Sequence, residues 1–120
     1  TADGTSRGGF ISPGFRARFR ALHDYTASLP LCGPADEELP LGRTTRACIE
    51  QGVIASLCYE IAGHIDRMRA AYDRLLVIFT GGDAKFFEKR FNNTIFANCD
   101  LVFYGLNRIM EYHACEENHR

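Results

Sequence analysis

Ile49, Val53, Leu57, Ile61, Ile65, Met68 and Tyr72 stand three or four positions apart with almost no break. That spacing returns to one face of a 3.6-residue helix at every turn and predicts a single long helix over 44–72. At 1.5 Å per residue, some 27 residues would run roughly 40 Å. Small residues flank the apolar stripe, namely Gly52, Ala55, Ser56, Ala62 and Gly63. They would let a second backbone come close, either a sheet within the chain or a second subunit.

Upstream, Asp3-Gly4 is a turn dipeptide, and Gly8-Gly9-Phe10-Ile11 reads as a hairpin remnant leading into the end of a strand. Pro13 follows where a helix would begin, with Ser12 as the N-cap; Phe15, Phe19, Leu22 and Thr26 then recur at helical spacing toward Leu29-Pro30. Residues 30–42, with prolines, glycines and the acidic run Asp36-Glu37-Glu38, read as an exposed loop.

Downstream of the long helix, Leu75 to Phe79 is an unbroken apolar run, the pattern of a strand buried on both faces. A helix to about Arg90, a short strand over Thr94 to Phe96 and a last helix complete the chain. Asp100 serves as N-cap of that helix, which passes through Leu101, Gly105, Ile109 and Tyr112 into the polar tail from Glu116. The predicted class is α/β, in the order β-α-α-β-α-β-α.

Composition places the chain among folded globular domains: 120 residues, 46% apolar and 24% charged, suit one core. A formal net charge of -1 provides no field favouring nucleic acid or an anionic membrane. No apolar run approaches the roughly 20 residues needed to span a bilayer. The five cysteines, Cys32, Cys48, Cys58, Cys99 and Cys115, are odd in number and form no C-x-x-C pair. Free thiols in a reducing, cytoplasmic compartment are the expectation, and the sequon Asn92-Asn93-Thr94 carries no meaning in a chain that is not secreted.

The candidate chemistry lies in the small-residue turns. Thr80-Gly81-Gly82 joins a strand to a helix start, an arrangement that presents backbone N–H groups to a ligand at a sheet edge, although a tight turn without a ligand would also use glycine. Gly8-Gly9-Phe10-Ile11-Ser12-Pro13-Gly14 is a second such junction. Gly42-Arg43-Thr44-Thr45 heads the long helix, where either threonine would serve as N-cap. Neither G-x-x-x-x-G-K-[ST] nor G-x-G-x-x-G occurs, so the P-loop and Rossmann fingerprints are excluded.

The blocks GGFISPGFRARFRALHDYTASLP, GRTTRACIEQGV, VIFTGGDAKFF and LVFYGLNRIM follow one another in an order and at spacings that resemble the C-terminal half of a type III pantothenate kinase. This family, also called Bvg accessory factor, belongs to the actin-like, hexokinase-like ATPases. The resemblance covers nearly all of the chain and implies the C-terminal half of an actin-like ATPase (ribonuclease H-like) fold, with 1–120 as a single C-terminal lobe and the N-terminal lobe absent.

It further implies transfer of the ATP γ-phosphoryl group to pantothenate in the first step toward coenzyme A, with Mg²⁺ and a monovalent cation (K⁺ or NH₄⁺). The working form would be a homodimer, here through the long helix 44–72. By resemblance, Thr45 touches pantothenate, in a pocket completed across the dimer. Gly8, Gly9, Ile11, Pro13 and Gly14 shape the pantothenate side of the cleft, and Thr80, Gly81 and Gly82 lie along the adenosine of ATP.

The family's D-x-G-N-[ST], G-x-D-R and D-x-G-T motifs, which hold phosphate, the catalytic aspartate and the cation, are not found in this sequence. Asp3-Gly4-Thr5 is no substitute for the last of them, because Gly8-Gly9 follows too soon. Phosphoryl transfer rests on positioning and electrostatics, so the chain alone is expected not to catalyse. A non-catalytic relative with a regulatory, transcriptional accessory or assembly role is the alternative reading.

Weaker candidates read as ordinary structure. His113, Cys115 and His119 lack a fourth ligand at zinc spacing, and Arg16, Arg18, Arg20 and His23 suit a solvated helix face. Cys48 and Cys58 read as core thiols, and Asp83 as a first-turn residue.

Overall fold

A computed structural model of the chain describes residues 3–91 and 96–117, with side chains as far as Ala114. The elements are α1 (Phe15–Asp24), α2 (Thr45–Ala71), β1 (Ile78–Phe79), α3 (Ala84–Glu88), β2 (Phe96–Ala97) and α4 (Leu101–Glu117). The architecture is α/β with a small parallel sheet, β1 pairing β2 in the register Ile78 to Phe96 and Phe79 to Ala97. The chain divides into two compact units, Thr1–Glu60 and Ile61–Arg120.

In the first unit, α2 follows its predicted stripe: Ile49, Val53 and Leu57 are buried. The opposite side of the same helix is buried too, at Gln51 and Ile54. Residues 30–42 are therefore not the freely exposed loop the composition suggests. Gln51 donates to the Glu37 carbonyl at 2.8 Å, and its Oε1 accepts the Leu39 N–H at 3.1 Å, which lays the loop along this second face. Each buried aliphatic side chain contributes about 1.5–3 kcal/mol, so a helix covered twice is a firm base for whatever its ends carry.

α1 buries Phe15 and Phe19, stacked with ring centroids 6.3 Å apart. It starts later and ends earlier than the periodicity suggested. Gly14, not Ser12, holds the N-cap position, and the helix stops at Tyr25, whose N–H is bonded to the Ala21 carbonyl. Thr26 turns its hydroxyl back to the Leu22 carbonyl at 2.5 Å, and His23 Nδ1 donates to the Leu29 carbonyl at 2.8 Å. Pro30 disfavours helical geometry at Leu29, and these side-chain bonds close the reversal ahead of it. The strand expected at Gly8 to Ile11 does not form. Ile11 is fully exposed and Phe10 70% exposed, and no strand is assigned to the segment among the described residues.

In the second unit, β1, α3 and β2 form a βαβ turn. The Phe96 N–H reaches the Val77 carbonyl at 3.1 Å and the Asn98 N–H the Phe79 carbonyl at 2.8 Å. Phe79 sits edge-on to Phe87 and Phe91, with centroids 6.1 and 5.9 Å away. The run 75–79 is not buried on both faces as predicted: Leu76 is 66% and Ile78 42% exposed. A two-stranded sheet has no layer to cover its second side, so only alternate residues are shielded. The predicted strand over Thr94 to Phe96 is realised as β2; Thr94 and Ile95, like the sequon at 92–94, lie outside the described residues. In α4, every side chain from 101 to 114 is exposed.

Candidate functional site

The head of α2 resolves the pair of threonines. The Thr44 hydroxyl accepts the Ala47 N–H at 3.2 Å and its carbonyl accepts the Cys48 N–H at 2.8 Å. Thr44 is thus the N-cap, bonded to the third residue of the helix. Thr45 is the first helical residue, exposed, and its hydroxyl makes no hydrogen bond to the described residues. One threonine builds the helix end while its neighbour keeps its donor and acceptor available.

Gly42 fixes this arrangement from below. A Cβ there would stand 2.3 Å from the Cys48 nitrogen and 2.5 Å from the Ala47 carbonyl carbon, both backbone atoms. The Gly42 carbonyl in turn accepts the Cys48 thiol at 3.3 Å. Cys48 is therefore an exposed thiol bonded to the motif, not the core thiol its place near the stripe suggested. Cys58 is half-buried.

Beside these residues opens a cavity of about 710 Å³. Leu22, Leu29, Ile49 and Val53 supply its apolar wall, while Arg43, Thr44 and Thr45 line it with polar groups. The size is that of a small-molecule site. The polar groups sit where the unpaired N–H groups of a 27-residue helix make the field partly positive.

Gly8, Gly9, Ile11, Pro13 and Gly14 do not line this cavity. They form an irregular, exposed segment ahead of α1, with Gly8 at φ 92°. Arg18, which pattern reading grouped with Arg16 and Arg20 on a solvated face, donates to the Pro13 carbonyl and the Ser12 hydroxyl of that segment. Its side chain is only 20% exposed and is paired with Glu60. Arg20, by contrast, makes only a loose pair with Asp24 at 3.6 Å. Helical spacing sets Arg20 apart but not Arg16, which stands three positions before Phe19 as Arg18 stands three after Phe15; the ion pair to Glu60 is what distinguishes Arg18.

In the second unit, Thr80, Gly81 and Gly82 are exposed and close a turn in which the Ala84 N–H meets the Gly81 carbonyl at 3.3 Å. Gly81 has φ 88°, a left-handed conformation that a side chain would strain. Gly82 has no such need, and a Cβ on it would meet nothing within 4 Å. Asp83 occupies the N-cap position of the short α3 without a side-chain bond; its carbonyl accepts the Phe86 and Phe87 N–H groups.

Among the described residues no group of three or more His, Cys, Asp or Glu side chains converges to hold a metal ion. The side chain of Cys115 and all of His119 lie outside them. No helix among the described residues is long and apolar enough to cross a membrane.

A family model described as type III pantothenate kinase matches residues 1–67. Curated relatives bearing that name include one from Flavobacterium psychrophilum, 42% identical over 106 residues, which cover 88% of this chain and 44% of the relative. A relative from Phocaeicola vulgatus is 42% identical over 111 residues, covering 92% and 46%. One from Porphyromonas gingivalis is 43% identical over 115 residues, covering 93% and 47%. The chain thus spans less than half the length of each of these relatives.

Proposed function

Because the chain belongs to the type III pantothenate kinase family, we propose that it supplies the pantothenate-side and adenosine-side walls of an ATP-dependent pantothenate kinase. It does so as the C-terminal lobe of an actin-like ATPase fold. The observation that carries the reading is the division of labour at the head of α2: Thr44 caps the helix and leaves the Thr45 hydroxyl available beside a cavity of about 710 Å³. Pantothenate is a small polar anion. A hydroxyl at a helix N-terminus offers it a hydrogen bond, and the neighbouring Arg43 and the helix start favour its carboxylate.

Gly82 supports the second half of the reading. Gly81 is explained by its own backbone, but among the described residues nothing lies within 4 Å of a Cβ on Gly82. A bare turn of that kind lets a flat adenine lie against the backbone with no Cβ in the way. The working form is a homodimer through α2. Gly52 and Gly63 support it, since both face open space where a second helix could approach. A cytoplasmic site of action agrees with the free thiols of Cys32, Cys48, Cys58 and Cys99.

Mg²⁺ and a monovalent cation belong to the family's reaction; among the described residues no three His, Cys, Asp or Glu side chains converge to hold a metal ion. The work assigned to this chain is binding and orientation alone: Thr45 fixes the acceptor, and the Thr80 to Gly82 turn seats the base of the nucleotide.

The test is steady-state kinetics on the complete open reading frame, following ATP-dependent phosphorylation of pantothenate. Thr45→Ala should raise the pantothenate KM about tenfold, the size of one lost hydrogen bond to a charged group, and leave the ATP KM unchanged. Equal effects on both substrates, or none, would remove Thr45 from the site. Phosphorylation of pantothenate by the 120-residue chain alone would show that the missing motifs are dispensable.

A further inference from the structure

We propose that Arg18 and Glu60 form a staple that holds the Gly8 to Gly14 segment against α2 beside Ser56, a residue of the cavity wall, making Arg18 a positioning residue for that wall. The idea rests on the reading above for its functional half, and on geometry alone for its structural half.

The guanidinium donates in two directions. Toward the segment, Nε reaches the Pro13 carbonyl at 2.6 Å and Nη2 the Ser12 hydroxyl at 3.0 Å. Toward α2, Nη2 reaches Glu60 Oε2 at 2.5 Å and Nη1 the Ser56 hydroxyl at 3.4 Å. One planar group therefore joins the irregular segment, α1 and α2.

The segment needs such a tie. No strand or helix holds residues 8–13, Gly8 is left-handed, and Ile11 is fully exposed. At its end the Gly14 carbonyl accepts the Arg18 N–H at 3.1 Å. The Arg18 and Glu60 side chains are 20% and 31% exposed, so the pair is better shielded from water and salt than an ordinary surface pair.

Lysine would not replace this group. An ammonium keeps the charge but lacks the rigid fork that meets acceptors on two elements at once. The pair is also neutral overall, so its effect on an anionic substrate must come through the position of the segment and not through a field of its own. That separates it from Arg43, which lines the cavity and is exposed.

Two measurements test the staple. The first is the heteronuclear ¹⁵N NOE of Gly8, Gly9 and Gly14 in the 120-residue chain. Arg18→Lys and Glu60→Gln should lower it, Ser12→Ala should lower it less, and Arg16→Lys and Arg20→Lys should leave it unchanged. NOE values in Arg18→Lys and Ser12→Ala equal to those of the unsubstituted chain would overturn the proposal, and Ser12→Ala decides if Arg18→Lys does not fold.

The second is kinetics on the complete open reading frame. Arg18→Lys should raise the pantothenate KM roughly fivefold or more with the ATP KM within twofold, a split that general loss of stability would not produce. A lowered NOE with both KM values unchanged would refute the functional half and leave the staple standing. An unsubstituted protein that fails to phosphorylate pantothenate would instead refute the parent reading, and the NOE result would still decide the staple.

Discussion

Replacing Gly42 and Gly52 by alanine, one at a time, should move stability in opposite directions. At Gly42 the new Cβ would stand 2.3 Å from the Cys48 nitrogen and 2.6 Å from its Cα, where ordinary contact begins at 3.4 Å. Backbone cannot swing aside as a flexible side chain can, so the loop must back away by about 1 Å, a displacement costing about 1–3 kcal/mol. That movement weakens the bond from the Cys48 thiol to the Gly42 carbonyl and drags Thr44, two residues on, off the Ala47 N–H. A lost threonine cap adds about 1 kcal/mol. The alanine recovers about 0.4–1 kcal/mol through the unfolded chain, leaving a net loss of about 1–3 kcal/mol.

Gly52 lies in the interior of α2, where a Cβ would meet nothing within 4 Å. Alanine there should stabilise the helix by about 0.5–1 kcal/mol. Urea denaturation followed by far-UV circular dichroism, at a concentration low enough to keep the chain monomeric, measures both. A Gly42→Ala chain as stable as the parent would refute the close approach. A Gly52→Ala chain that loses stability would show that the face is already covered.

The same denaturation assay reads one further single substitution and two further pairs. Gln51→Leu should cost about 2–4 kcal/mol, because it strands the Glu37 carbonyl and Leu39 N–H that the buried amide now satisfies; a neutral leucine would mean that the loop finds other partners. Thr44→Ala should cost about 1 kcal/mol and Thr45→Ala close to nothing, since only the first caps α2; equal costs would contradict the division between them. Gly81→Ala should cost about 1–2 kcal/mol from its φ of 88°, whereas Gly82→Ala should be nearly neutral in stability yet raise the ATP KM of the complete enzyme. An unchanged ATP KM would remove Gly82 from the nucleotide side.

How much of the fold could be read in advance depended on how local its causes are. α2 was legible because its stripe repeats over a whole helix, and the structure ends it within one residue of the predicted bounds, at Thr45–Ala71. The second buried face of α2 was not legible, since Gln51 and Ile54 are covered by a loop whose path depends on two hydrogen bonds of one polar side chain. The run at 75–79 was recognised as a strand, but an apolar run says nothing about how many neighbours will cover it. With only β2 beside it, Leu76 and Ile78 stay exposed. α4 shows the same limit. Val102, Phe103, Tyr104, Leu106, Ile109 and Met110 surround the helix with apolar groups, the composition of an element covered on several sides, and each is at least 52% exposed.

The glycines of the candidate site show why a motif is more informative once its conformational causes are subtracted. Gly81 answers to a left-handed backbone and Gly42 to the first turn of α2, so both would be glycine in a protein that bound nothing. Gly82 and Gly9 are different: neither has a positive φ, and a Cβ on either would meet nothing within 4 Å, as at Gly33, Gly52, Gly63 and Gly105; Gly14 is the N-cap of α1. The polar residues obey the same subtraction. Thr44 is used up by the helix and Arg18 by the staple, while Thr45 has a hydroxyl that the fold does not employ. Sequence spacing left Thr44 and Thr45 as equal N-cap candidates and placed Arg18 with its neighbours on a solvated face. Only the hydrogen bonds and close contacts separate the groups that build the site from those left available to a ligand.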